Sequence, residues 1–313
     1  MVNVFIDGSS GTTAIKIFDR LGNRDDVNLI TLPEELRKNT DARTNAMNSS
    51  DITFLCLPDD AARQAATNAS GAVKIIDTST AHRTQNGWSY GFPELSKAHR
   101  ENIVNGNRIA VPGCHASGFC AVTYPLVKSG IISADYPIVC HSLTGYSGGG
   151  KKMIADYQNE QRSVELSSPA QYALGAEHKH LKEMKAICGL DEKPIFNPIV
   201  ADYYSGMVVS IPLYSRLMNK KLTVKELRDF YTEYYDGECL ISVPADGNTG
   251  AENGFLYSNT LSGKDNMEII VSGNDERMLV AARFCNLGKG ASGAAMQCMN
   301  IIMGCDETKG LVL

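Results

Sequence analysis

Cys114 stands in Val111-Pro112-Gly113-Cys114, at the end of a β-branched run and ahead of a helical pattern. A thiol at a helix start meets free N–H groups and the positive end of the helix dipole, which favour a thiolate and any oxyanion formed beside it. A nucleophilic cysteine needs an imidazole partner. Of the six histidines, two fall in Glu177-His178-Lys179-His180-Leu181-Lys182-Glu183, so His178 and His180 are the candidate acid/base groups. The same residues fit a solvated helix start, and His-x-His fits half of a metal site; with no third ligand nearby in sequence, no metal is expected. His115, beside the thiol, reads as a residue that shapes the local backbone. The other eight cysteines lack C-x-x-C spacing and read as buried small hydrophobes.

A second constellation is Gly8-Ser9-Ser10-Gly11-Thr12-Thr13-Ala14, which follows the short strand pattern of residues 2–6 and opens a helical one. Small residues there let backbone N–H groups and a helix N-terminus approach a pyrophosphate, and the hydroxyls of Ser9, Ser10, Thr12 and Thr13 suit phosphate. An ordinary tight βα turn would look similar. An NAD enzyme carries a ribose-binding carboxylate about 20 residues beyond the glycines. Here the second strand, 27–31, ends in Leu32-Pro33, so NADP(H) is favoured over NAD(H), with Arg20, Arg37 and Lys38 as alternative contacts for a 2′-phosphate. Arg83 could offer a bidentate guanidinium to a carboxylate or phosphate, or be a surface arginine. The loop 145–152, with Ser147 and two lysines, could hold an anion on backbone amides or be a flexible connection.

These residues need elements to position them. Strand patterns at 2–6, 51–57, 73–76 and 108–111 alternate with helical ones, including 59–69 with its alanine stripe, and indicate a parallel, doubly wound Rossmann-like sheet. The glycine turn, Pro58, the segment at Ser79 and Cys114 then all lie at carboxyl ends of strands, where such sheets bind ligands. Ser117 is available as N-cap for a helix running toward Lys128 and kinked at Pro125. Beyond residue 137 the pattern changes to longer strands at 138–143, 207–213 and 267–271, with a helix at 223–235 opened by the capping box Thr223-x-x-Glu226. This half reads as an α+β catalytic and dimerisation domain with one sheet face on helices and the other offered to a partner subunit. The apolar segment 294–303 needs a sheet to cover, so residues 1–115 with 287–313 are expected to form the dinucleotide-binding domain and 116–286 the second.

Taken in order, Gly8-Ser9-Ser10-Gly11-Thr12-Thr13, Asp77-Thr78-Ser79 with Arg83, Tyr90-Gly91-Phe92-Pro93-Glu94-Leu95, Val111-Pro112-Gly113-Cys114-His115-Ala116-Ser117-Gly118, His178-x-His180-x-x-Glu183 and Lys289-Gly290-Ala291-Ser292-Gly293-Ala294-Ala295-Met296-Gln297 resemble the N-acetyl-gamma-glutamyl-phosphate reductase family over nearly the whole chain. The length of 313 residues matches the short, type 2 form. The long form shows Gly-Cys-Tyr-Pro-Thr at the nucleophile and His-x-His-x-Pro-Glu at the histidines; His115-Ala116-Ser117 and Lys182 replace those residues here. The resemblance implies NADPH-dependent reduction of the acyl phosphate to N-acetylglutamate semialdehyde, in arginine biosynthesis, through a thioester on Cys114. It implies His180 or His178 in proton transfer and Arg83, Ser147, Glu183 and Ser117 around the substrate. Gly8 to Thr13, Pro58, Ser79, Lys289 and Gly290 would lie at the cofactor.

A net charge of −5 argues against nucleic acid as a partner, and no apolar run reaches the roughly 20 residues of a membrane span. A cytoplasmic homodimer or homotetramer acting on a small acyl phosphate is expected. Alternatives are an acyl-phosphate reductase like aspartate-semialdehyde or glyceraldehyde-phosphate dehydrogenase, which would share the cysteine but not the acyl pocket, and a non-enzymatic NADP(H)-sensing regulator, which would need neither the helix-start cysteine nor the histidines.

Overall fold

The chain opens with β1 (Val2–Asp7), α1 (Thr12–Leu21), β2 (Val27–Ile30), α2 (Thr40–Asn48), β3 (Ile52–Leu55) and α3 (Asp59–Asn68), followed by β4 (Lys74–Asp77), β5 (Ser89–Tyr90), α4 (Lys97–Asn105) and β6 (Arg108–Ala110). The structure is a computed structural model and describes residues 1–8, 11–245 and 254–313. Its two units are Met1–Gly113 with Ala291–Leu311, and Cys114–Gly290 with Val312–Leu313.

The strands of the first unit pair in the order β2-β1-β3-β4-β6-β5, every pair parallel. Such a sheet is buried on both faces, which is why β1 and β3 read as continuous apolar runs with Val4, Phe5, Ile52, Phe54 and Leu55 buried. Helix α1 seats Ala14, Ile17 and Leu21, spaced on one face, in this core. The closing helix Gly293–Met303 adds Ala294, Ala295, Met296, Cys298 and Met299 to the same cluster as Val4, Phe54 and Ile76. The chain leaves β1 for β2 on one side and returns to β3 on the other, so the ligand-binding crevice of such a sheet falls at the carboxyl ends of β1 and β3.

The second unit begins with α5 (Cys114–Lys128), then β7 (Val139–Gly145), α6 (Gly150–Gln158), β8 (Ala170–Gln171), α7 (Leu181–Cys188), β9 (Ile195–Ala201) and β10 (Met207–Tyr214), and ends with α8 (Val224–Tyr234), β11 (Ile241–Ser242), β12 (Met267–Asn274) and β13 (Arg277–Phe284). The strands form a mixed sheet ordered β11-β12-β13-β10-β7-β9-β8. Side chains alternate along the central strands. Cys140, Ser142, Thr144, Phe196, Val209, Ile211 and Leu213 are buried, while His141, Ile195, Pro212 and Tyr214 are exposed in the intervening positions.

The boundary between the units falls after Gly113 and after Gly290, rather than after residue 115 and before residue 287 as the sequence pattern suggests. Cys114 and His115 already belong to α5, which packs on β10, β13 and α7. The same early start corrects the reading of Ser117 as an N-cap: it is an interior helical residue, 1% exposed.

Every residue of α5 from 115 to 126 is buried, Pro125 included. A helical proline has no N–H for the carbonyl four residues back and its ring crowds that carbonyl. The carbonyl of Ala121 that it orphans, and that of Val122 beside it, accept from tyrosines on α8 and its C-cap, the capping box Thr223 and Glu226 holding the start of that helix. Tyr235 Oη donates to the carbonyl of Ala121 and Tyr231 Oη to that of Val122, each at 2.6 Å. Removing one hydroxyl strands a buried carbonyl. Tyr235→Phe should lower the unfolding free energy by about 1–3 kcal/mol in urea titration; an unchanged midpoint would show that the helix satisfies this carbonyl another way.

Candidate active site

In the first unit, the turn after β1 is built around Gly8. Its φ is +93°, and a Cβ there would lie 2.4 Å from the carbonyl oxygen of Cys56 in the loop after β3. Only glycine lets the two loops touch at the strand-order switch. Gly11 caps α1 with ordinary φ of −76° and open space at its Cβ position, and Thr12 and Thr13 form the first turn. Ser9 and Ser10 lie outside the described residues. Pro58 starts α3.

A cleft of about 470 Å³ opens beside this turn, lined among others by Asp7, Gly8, Thr31, Glu34, Arg37, Lys38 and Arg43. Of the three cations considered from sequence, Arg37 and Lys38 line it and Arg20 does not. Arg43 was not foreseen; its guanidinium forks onto both carboxylate oxygens of Asp7 at 2.7 Å. Its distance of 36 residues from Asp7 hides this pair from any local pattern.

Ser79 and Arg83 are drawn into the loop after β4. Asp77, fully buried, accepts from Ser79 Oγ at 2.7 Å and pairs with His82 Nδ1 at 2.6 Å. Arg83, also buried, donates from Nε to the carbonyl of Val111 at 2.9 Å and from Nη2 to that of Thr78 at 3.2 Å. These bonds brace the loops after β4 and β6.

In the second unit, half-buried Cys114 is the first residue of α5. The π turn Gly288–Ser292 passes directly against it: a Cβ on Gly290 would lie 3.0 Å from that of Cys114 and 3.1 Å from the ring of Phe284. Lys289 in this turn is 2% exposed. Ser147 lies in a short 3₁₀ turn, Tyr146–Gly149, ahead of α6, and its Oγ accepts from Asn286 Nδ2 at 2.9 Å, so the loop read as either anion cradle or flexible connection is a pinned turn. Glu183, in the first turn of α7, is buried.

His178 and His180 gather around His115. The His115 ring centroid lies 5.6 Å from that of His178 and 5.5 Å from that of His180, with Phe196 closing the cluster at 5.3 Å. His115 is thus a side-chain hub and not only a backbone-shaping residue: Nδ1 meets Ser142 Oγ at 2.6 Å and Nε2 meets Tyr172 Oη at 2.8 Å. Ser142 sits on β7 and Tyr172 just past β8. Neither carries a sequence signal, because they reach His115 across 27 and 57 residues. The segment joining Tyr172 to His178 holds Ala173 and Ala176 at φ of +55° and +56°. Two non-glycine residues in that region cost on the order of 1–3 kcal/mol each, strain of the kind that collects at functional sites.

Burial pushes His115 down to about 3, helped by the charges of His178 and Lys179, and pushes His178 down to about 4, helped by Lys179. The backbone N–H of His180 donates to His178 Nδ1 at 3.2 Å, so neutral His178 carries its proton on Nε2. Among the described residues, no group of three or more His, Cys, Asp or Glu is disposed to hold a metal ion.

The sequence profile of the semialdehyde dehydrogenase NAD-binding domain matches residues 3–103, and that of the semialdehyde dehydrogenase dimerisation domain matches residues 114–286. N-acetyl-gamma-glutamyl-phosphate reductase 2 of Nostoc sp. is 41% identical over 317 aligned positions, with 98% of each chain covered. N-acetyl-gamma-glutamyl-phosphate reductase of Brucella anthropi is 39% identical, over 96% of this chain and 98% of its own. The chain belongs to the semialdehyde dehydrogenase family and, within it, to the N-acetyl-gamma-glutamyl-phosphate reductases. Solved structures share the fold at low identity. Aspartate semialdehyde dehydrogenase II of Vibrio cholerae, complexed with ASA, has a TM-score of 0.73 at 16% identity over 97% of this chain and 98% of its own. The Candida albicans aspartate semialdehyde dehydrogenase with NADP has 0.64 at 15% over 97% and 98%.

The histidine shifts fix the sign of an acid effect. Folded values near 3 and 4 lie below the ordinary 6.5, so the unfolded chain binds protons that the folded one refuses. This contribution to stability is complete above pH 6.5 and is lost progressively as the pH falls through about 4 toward about 3. The urea midpoint should drop across that window, and His115→Gln should flatten the slope; equal slopes in both proteins would contradict the assignment.

Proposed function

We propose that the chain reduces N-acetyl-gamma-glutamyl phosphate to N-acetylglutamate 5-semialdehyde with NADPH, releasing phosphate, as a step of arginine biosynthesis. The observation that carries the mechanism is the cysteine on the first turn of a buried helix, with two further histidines packed on its neighbour His115. The family supports the substrate. The cleft at β1 and β2 fits a dinucleotide: Gly8 lets the turn after β1 close on the loop after β3 at the ligand crevice of the sheet, and Arg37 and Lys38 supply positive charge for a 2′-phosphate.

The positive end of the α5 helix dipole favours the Cys114 thiolate. Its sulfur attacks the carbonyl carbon of the acyl phosphate, the bond from that carbon to the phosphate oxygen breaks, and a thioester remains. Bound NADPH supplies the hydride that reduces this thioester. The resulting thiohemiacetal on Cys114 collapses to the aldehyde and the thiolate leaves. We assign proton transfer to His180, because His178 Nδ1 is occupied by the His180 backbone N–H and its neutral form is favoured. His180 takes the thiol proton and returns one to the departing phosphate, so the ring cycles between its two states.

We further propose that the exposed face of the second sheet, with Ile195, His141 and Tyr214, is covered by a second copy of the chain, in keeping with its match to a dimerisation domain. Nine cysteines without a disulfide suit the reducing cytoplasm.

Cys114→Ser should lose several orders of magnitude in kcat while NADPH binding persists, since a serine hydroxyl is a poor nucleophile at neutral pH. His180→Asn should lose on the order of 10²- to 10⁴-fold and His178→Asn much less; the reverse ranking would exchange their roles. In the reverse reaction with phosphate, N-acetylglutamate semialdehyde should give a far higher kcat/KM than aspartate semialdehyde. Equal values would remove the substrate assignment.

For the cofactor, wild type should show a higher kcat/KM with NADPH than with NADH, and Arg37→Ala with Lys38→Ala should raise KM for NADPH while leaving that for NADH nearly unchanged. A parallel rise for both cofactors would move the 2′-phosphate contact elsewhere.

A further inference from the structure

Arg43 stands in the wall of the dinucleotide cleft, and a 2′-phosphate contact made by Arg37 and Lys38 alone leaves it without a role. It is the fourth residue of α2, whose start is held by the Asn39 side chain accepting from the Ala42 N–H at 2.9 Å. Ala46 and Met47, three and four positions further on, share its face of the helix and are buried in the core cluster that holds Phe5 and Leu55. Docking of that face brings Arg43 to the carboxyl end of β1. There Nε and Nη2 fork onto the two carboxylate oxygens of Asp7, each at 2.7 Å.

The fork spends two of the three guanidinium nitrogens and fixes the plane of the group. Nη1 is left with no hydrogen-bond partner among the described residues. A guanidinium already immobilised loses little further freedom when it grips a ligand.

The lining of the cleft indicates which ligand group Nη1 meets. Of the glycine turn only Gly8 lines it among the described residues, whereas Thr31, Leu32, Glu34, Arg37 and Lys38 all come from the segment after β2. That segment is where a dinucleotide-binding sheet reads the ribose 2′ position, so the cleft suits the adenosine half of the cofactor. Arg37 and Lys38 are exposed and screened by solvent. The Arg43 side chain is only 20% exposed, so a hydrogen bond from it to an anion is the strongest of the three.

We propose that Arg43 is a cofactor-binding residue, held by Asp7 so that its Nη1 donates to the 2′-phosphate of NADP(H). Asp7, which makes no contact with that phosphate, is the positioning residue. The inference deepens the NADP(H) reading and rests on it.

NADPH and NADH differ only in the 2′-phosphate, and fluorescence titration of the full chain without substrate gives the dissociation constant of each. The preference for NADPH, taken as the ratio of the two constants, should fall about 10- to 100-fold in Arg43→Gln, the worth of a charge-assisted hydrogen bond. Arg43→Lys, which keeps the charge but not the fork, should recover only part of it. If Arg43 served only to neutralise Asp7, Arg43→Gln would weaken both cofactors alike and the double variant Asp7→Asn with Arg43→Gln would restore both. As a 2′-phosphate contact, the preference stays low in the double variant. Thermal midpoints show which variants fold; should the unpaired Asp7 unfold Arg43→Gln, the double variant, which removes both charges, decides. A wild-type preference retained in the folded variants would overturn the proposal and leave the NADP(H) reading standing. A wild type that binds NADH as tightly as NADPH would instead remove that reading, and the role of Arg43 with it.

Discussion

The buried helix α5 is the constraint on which the second unit depends. All its residues from 115 to 126 are buried, so neither its axis nor its rotation can change without disturbing the sheet beneath and α7 beside it. Cys114 inherits that rigidity at the one position where a helix offers unpaired N–H groups. Pro125 would weaken such a helix, and the tyrosine hydroxyls of α8 repair the defect from outside. Cys114 is thus positioned in part by residues more than 100 positions away in sequence.

Burial also sets the chemistry of the histidines. A cluster of three imidazoles would repel itself if charged, and here desolvation holds His115 and His178 neutral well below the pH at which a free histidine titrates. Neutral rings can each donate from one nitrogen and accept at the other, which is what a relay requires and what three cations could not provide. The arrangement separates roles among chemically identical groups: His115 links Ser142 to Tyr172, His178 accepts from the backbone, and His180 is assigned the proton.

The layers of the fold that depend on local pattern were legible in the sequence. The strand and helix within residues 2–21, the alanine face of α3 and the capping box of α8 all rest on neighbours within a few positions, and the structure contains each of them. The start of α5 differs because Ser117 is a good N-cap by type, whereas packing of Cys114 and His115 in the second unit carries the helix four residues earlier. Strand β13, interior in its sheet, and helix α7 went unassigned, since Arg277 and Arg283 confine the apolar run of the one to five residues and lysines interrupt that of the other. In the site, Cys114 and the His-x-His pair stood out by residue type. Ser142, Tyr172 and Arg43 did not, because their meaning lies entirely in partners distant along the chain.

The central claim is a covalent acyl-enzyme on Cys114, and it can be seen directly. Intact mass spectrometry of the protein mixed with N-acetyl-gamma-glutamyl phosphate in the absence of NADPH should show one added N-acetylglutamyl group, mapped by digestion to the peptide carrying Cys114 and released when NADPH is added. An unmodified Cys114 in protein that turns over the complete reaction, or a label on another residue, would contradict the account.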